Sequence, residues 1–113
     1  MVAIKIATNF LSLLKVVMVK EVYLKIDGRV QGIGYRRWAV SKAIEIGGIS
    51  GWVRNEDDGS VEILMSGDDD NINKMIEACY RGPLFARVDK ISFLPGVKNY
   101  FLPPIVEGKF IRV

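Results

Sequence analysis

Histidine is absent from this 113-residue chain. Its absence removes Ser-His-Asp and Cys-His nucleophilic sites, and with them the usual zinc ligand sets. Cysteine occurs once, at Cys79, so no intramolecular disulfide can form and no oxidising compartment is needed. A cytoplasmic location is expected. A strong charge of one sign is also missing. Sixteen Lys and Arg against 13 Asp and Glu leave +3, which suits an anionic partner but is too weak to imply nucleic acid. Repeats and low-complexity linkers are absent.

A clean membrane span is lacking as well. Residues 1–20 are apolar, but Lys5 and Lys15 interrupt them, short of the roughly 20 uninterrupted residues a spanning helix needs. No small-residue cleavage site marks them as a signal peptide. Residues 1–18 are therefore expected to be an N-terminal extension, either flexible or a short helix capped by Thr8 or Asn9, with Met18 as the expected true start. Residues 19–113 are then one domain, and a monomer is the default at this size. Any chemistry must run on arginine, asparagine, carboxylates and backbone amides.

What is present has a clear order. Glu21–Asp27 alternates, with Val22, Leu24 and Ile26 on one face, as a half-buried strand does. Over Tyr35–Ile46 the residues Trp38, Ala39, Lys42, Ala43 and Ile46 fall at helical spacing, and Gly47-Gly48 ends that helix. Ile49–Asn55 and Ser60–Ser66 read as two strands joined by the turn Glu56–Gly59. A second helix starts at Gly67–Asp70, where aspartates cap it and favour the positive end of its dipole, and Ile72, Met75, Ile76 and Cys79 form its apolar stripe. Those aspartates read as a helix start rather than a metal cluster, and Cys79 as core. Arg87–Leu94 is a fourth strand, 95–108 reads as irregular, and Lys109–Val113 is a short closing strand. The order βαββαβ predicts an α+β, ferredoxin-like sandwich: an antiparallel sheet with two helices on one face.

One stretch of that sandwich is suited to chemistry. GRVQGIGYRRW, residues 28–38, carries a glycine-rich turn from a strand into a helix. Gly28, Gly32 and Gly34 allow backbone N–H groups to converge, and the free amides of the first helical turn add partial positive charge. Arg36 sits at the helix start, where its planar guanidinium can fold over the turn and grip a phosphate bidentately. Arg37, about a hundred degrees round the helix, is expected in solvent, and Arg29 could face either way. A plain tight turn with surface arginines fits the same composition. The spacing matches neither the dinucleotide nor the Walker pattern. Asn55, at the end of the second strand of the order, can reach the same end of the sheet. There an amide side chain could hold a water and an oxyanion, although asparagine before a turn is also a common turn former.

Together these residues resemble the acylphosphatase family. The resemblance rests on G-R-V-Q-G-x-G-Y-R at 28–36, A-x-x-x-G-G-I-x-G-W-V-R-N at 43–55, D-G-S-V-E at 58–62 and G-P-x-x-A-R-V-D at 82–89, with a fainter echo in FIR at 110–112. It covers residues 21 to about 94. It implies hydrolysis of a carboxyl-phosphate anhydride to carboxylate and inorganic phosphate, with no cofactor, no metal and no phosphoenzyme. By motif position it implies Arg36 and Asn55 as the catalytic pair. Phosphate would be held by the backbone of Gln31, Gly32, Ile33, Gly34, Tyr35 and Arg36, and water oriented by Asn55. The Gly47-Gly48 link is one residue longer than the family pattern, the 95–108 stretch is long, and the chain closes in valine where the family commonly ends in tyrosine.

Two other readings share the fold. One is a module of the same fold that binds phosphate or acyl phosphate without turning it over. The other is an RNA-recognition domain, which stacks bases on exposed aromatics of its first and third strands. The third strand here has none and the first has one, Tyr23. A small-molecule partner is therefore expected, with neither nucleic acid nor membrane.

Overall fold

The computed structural model describes residues 2–6, 16–95 and 102–113. Its elements run β1 (Val2–Ile6), β2 (Val16–Arg29), α1 (Tyr35–Ile46), β3 (Ile49–Asn55), β4 (Val61–Asp68), α2 (Asp69–Arg81), β5 (Arg87–Phe93) and β6 (Phe110–Arg112). The sheet order is β1-β2-β4-β3-β6, with β5 also paired to β2. The expected ferredoxin-like α+β arrangement is present, and both helices pack on one face. Strand β2 contributes Val22, Leu24 and Ile26, β3 contributes Ile49 and Val53, and β4 contributes Val61, Ile63 and Met65 to one buried cluster. Tyr35, Ala39 and Ala43 of α1 and Ile72, Met75 and Cys79 of α2 close that cluster from above. Burial lifts the Cys79 thiol to about 12, so it stays protonated as a core residue.

Three features differ from the expectations. Residues Val2–Ile6 form a strand rather than a helix, pairing antiparallel with Val16–Lys20 of β2. A five-residue apolar run carries no periodicity that separates the two. Thr8 and Asn9, the expected caps, lie outside the described residues. Because β2 already begins at Val16, the strand runs through Met18 without a break. Strand β2 also continues past Asp27 to Arg29, where a turn was expected to have begun. Finally, β6 pairs in parallel with β3, Gly51 to Phe110 and Val53 to Arg112, while the other strand pairs among the described residues are antiparallel.

Strand alternation sorts the remaining residues of the sheet onto its outer face. Trp52 points there, fully buried, and its indole N–H donates to the Pro103 carbonyl at 2.8 Å. The described part of the long C-terminal stretch thus covers Trp52. Tyr23 meets Trp52 edge-on with ring centroids 6.0 Å apart, and Arg54 stacks over the indole at 4.8 Å. Among the described residues no helix is long and apolar enough to cross a membrane.

Candidate active site

The strand-to-helix turn is anchored by side chains that point inward. Val30 and Tyr35 are buried, and Ile33 packs against the core. The Tyr35 hydroxyl donates to the Cys79 carbonyl at 2.7 Å, tying the start of α1 to α2. Burial pushes this phenol well above its usual range, so it stays neutral. Tyr35 can thus offer a ligand its amide but not its side chain. Between these anchors Gly32 and Gly34 are exposed, with φ of 75° and 83°. A Cβ at either would meet nothing within 4 Å, so glycine is required there by the left-handed backbone and not by space.

Gly28 has a different role from the one expected. It lies inside β2 at a register shift against β5, and a Cβ there would come within 2.0 Å of the Arg87 carbonyl oxygen. Its place in the motif reflects strand contact. Only Gly32 and Gly34 shape the turn at the cavity.

Helix α1 begins with its donors open. Gly34 is its N-cap, no side chain caps it, and its first turn contains no acidic residue. The first helical bond shown is Trp38 N–H to the Gly34 carbonyl at 2.9 Å, so the amides preceding it have no carbonyl partner within the helix. Helix α2 is the internal contrast. Its N-cap Asp68 accepts from the Asp70 amide at 3.0 Å, and Asp69 and Asp70 already sit on its positive end. Among the described residues, of the two helix N-termini that of α1 is the one left for an exogenous anion.

A cavity of about 110 Å³ opens at this point, lined by Val30, Gly32, Gly34, Tyr35, Arg36, Arg37, Asn55 and Arg112. It is well below the roughly 300 Å³ of a drug-sized pocket, which suits a phosphate group better than a nucleotide. Its lining holds three arginines and no carboxylate. Among the described residues Arg36, Arg37 and Arg112 form no ion pair, whereas Arg54, Arg81 and Arg87 are paired to Glu56 and Glu62, Glu77, and Asp89 respectively. A larger cavity of about 580 Å³ lies at the opposite end of the sheet, but Glu21, Asp68 and Glu107 line it and disfavour an anion.

The structure brings Arg36 and Asn55 to one cavity. Asn55 shares the helix-facing side of β3 with Ile49 and Val53, while Arg54, one residue earlier, projects to the other side. Arg54 is held there by Glu56 at 2.6 Å and Glu62 at 3.1 Å. The Gly47-Gly48 link does not disturb this placement. The Gly47 amide closes α1 on the Ala43 carbonyl at 2.9 Å, and β3 starts at Ile49 in unbroken register with β4. Of the expected turn residues, Gly32, Gly34, Tyr35 and Arg36 line the cavity; Gln31 and Ile33 do not. Arg37 is exposed as expected, yet its atoms reach the rim.

Arg112 was missed by sequence reasoning. In the parallel pair it stands beside Val53, so it shares the face of Val53 and Asn55. The one signal in the sequence was the faint FIR echo at 110–112.

Fold and site define a small α+β sandwich with a cationic, amide-edged pocket at the N-terminus of its first helix. A sequence model of the acylphosphatase family matches residues 22–100. An acylphosphatase of Nitrobacter winogradskyi is 46% identical over 82 residues, covering 73% of this chain and 80% of the relative. An acylphosphatase of Rhizobium etli is 49% identical over 73 residues, covering 65% of this chain and 77% of that protein. The crystal structure of acylphosphatase from Bacillus subtilis superposes with a TM-score of 0.70 at 32% identity, covering 85% of this chain and 99% of that one. The chain belongs to the acylphosphatase family.

Proposed function

We propose that this enzyme hydrolyses the carboxyl-phosphate bond of small acyl phosphates, releasing a carboxylate and inorganic phosphate, with Arg36 and Asn55 as its catalytic pair. Family membership carries the reaction. The observation that carries the residue roles is that Arg36 and Asn55 line one phosphate-sized cavity at an uncapped helix N-terminus.

The phosphoryl group sits in the turn, its oxygens facing the amides of Gly32, Gly34, Tyr35 and Arg36 and the Arg36 guanidinium. Asn55 holds the water through its side-chain carbonyl and amide, in line with the leaving carboxylate. A carboxylate leaves readily, so little general acid help is required, and positioning plus electrostatics suffices. Water forms the new P–O bond as the bond from phosphorus to the acyl oxygen breaks. Its protons end on phosphate and bulk water.

This inventory leaves metal without a role. The phosphate charge is met by guanidinium and amides, and the cavity lining contains no carboxylate, thiol or imidazole to hold a cation. Activity is assigned to residues 19–113, working as a monomer in the cytoplasm. The single-domain size and the lone, buried cysteine support that setting.

Hydrolysis of acetyl phosphate and benzoyl phosphate, with and without a chelator, tests the proposal. Turnover of both at rates unchanged by the chelator is expected. Chelator-sensitive turnover would contradict the metal-free mechanism. Wild-type rates no higher than those of Arg36→Ala would leave only a binding module.

A further inference from the structure

Gln31 opens the phosphate turn but does not line the cavity. Its side chain leaves the turn sideways. Nε2 donates to the Glu56 carbonyl at 2.7 Å and to the Ser60 carbonyl at 2.8 Å. Both partners are acceptors only, which fixes the orientation of the carboxamide and uses both of its protons. The two carbonyls stand at the two ends of the β3–β4 turn, which begins one residue after Asn55.

That turn is already rigid within itself. The Glu56 amide donates to the Ser60 carbonyl at 2.9 Å, and the Gly59 amide to the Glu56 carbonyl at 3.2 Å. Asp58 accepts from the Ser60 amide at 2.9 Å and pairs with Lys25 at 2.7 Å. Ser60 is 2% exposed. Gln31 therefore adds nothing the turn needs to close. What it adds is a link between two separate pieces of chain, the phosphate turn and the turn that follows Asn55.

We propose that Gln31 is a positioning residue for the hydrolysis: its carboxamide sets the spacing between the phosphate turn and Asn55. This rests on the catalytic pairing of Arg36 with Asn55. The turn holds the phosphorus and Asn55 holds the water, so the side chain joining them governs the in-line distance. A glutamine suits the task because it can donate twice while carrying no charge beside an anion. Glutamate at the same place would set a carboxylate against two carbonyl oxygens until protonation gave it one donor.

Three proteins compared on acetyl phosphate test this: wild type, Gln31→Ala and Gln31→Glu. Inorganic phosphate serves as the binding probe, and its stoichiometry reports the folded fraction. Gln31→Ala should lose roughly 10–100-fold in kcat per bound-phosphate site. Its phosphate inhibition constant should stay within about threefold, because the amides of Gly32, Gly34, Tyr35 and Arg36 and the Arg36 guanidinium remain. Gln31→Glu should be slow at pH 8 and regain several-fold in kcat, relative to wild type, as the pH falls to 5.

A Gln31→Ala kcat within twofold of wild type overturns the proposal. So do a parallel loss of phosphate affinity and a Gln31→Glu profile that tracks wild type. Wild-type protein that does not hydrolyse acetyl phosphate overturns the enzymatic reading along with it, which separates the two failures.

Discussion

Arg36→Ala is expected to lower kcat/KM for acetyl phosphate by about 10³ or more, equivalent to about 4 kcal/mol of lost transition-state stabilisation. In the proposed mechanism the guanidinium meets the phosphoryl oxygens at a helix N-terminus where, among the described residues, no carboxylate pairs with it. It contributes to binding the ground state and more to the transition state, whose equatorial oxygens carry the spread charge. Both KM and kcat should therefore worsen. Arg36→Lys keeps the charge but loses the planar fork, so it should recover only part of the loss. Arg37 and Arg112, at the rim of the same cavity, set an upper limit on the damage, because some positive field remains when Arg36 is gone. Steady-state kinetics on purified variants, with phosphate as a competitive inhibitor, checks the direction of both constants.

Asn55→Ala is expected to have the second largest effect, and a different signature. In the proposed mechanism the amide aligns water and contributes little to holding phosphate, so kcat should drop by about 10²–10³ while KM changes by less than about threefold. Asn55→Asp separates alignment from charge. It is nearly isosteric and still accepts a hydrogen bond from water, but it places an anion beside the phosphoryl oxygens. Its KM should rise as well. Both variants should fold. Asn55 is exposed at the end of β3, and its side chain makes no hydrogen bond among the described residues.

The parts of the molecule most legible in the sequence were those whose signal is local. Alternation in Glu21–Asp27 and Ser60–Ser66, helical spacing in Tyr35–Ile46 and the aspartates at the start of α2 each sit within one element. The placement of Arg36 and Asn55 at one end of the sheet was legible through motif position, since the turn and the strand end each carry a distinctive residue order. Gly28 was not. A glycine in a strand pressed against a neighbouring carbonyl and a glycine in an anion turn look alike in one dimension, and only the contact with Arg87 tells them apart. Arg112 was hidden for a similar reason. Its place at the cavity depends on β6 pairing in parallel with β3, a register set across 58 residues of intervening chain. The Gln31 side chain bonds partners 25 and 29 positions away, and motif position assigned only its backbone. Strand β1 was missed because a short apolar run with one lysine fits a strand or a helix equally.

In the proposed mechanism, water held by Asn55 attacks phosphorus while the turn and Arg36 hold the phosphoryl group. Hydrolysis of benzoyl phosphate in ¹⁸O-labelled water, followed by mass analysis of both products, tests it most directly. One labelled oxygen in each inorganic phosphate and none in benzoate is the expected result. Label in benzoate would place the attack at the carbonyl carbon and rule this mechanism out.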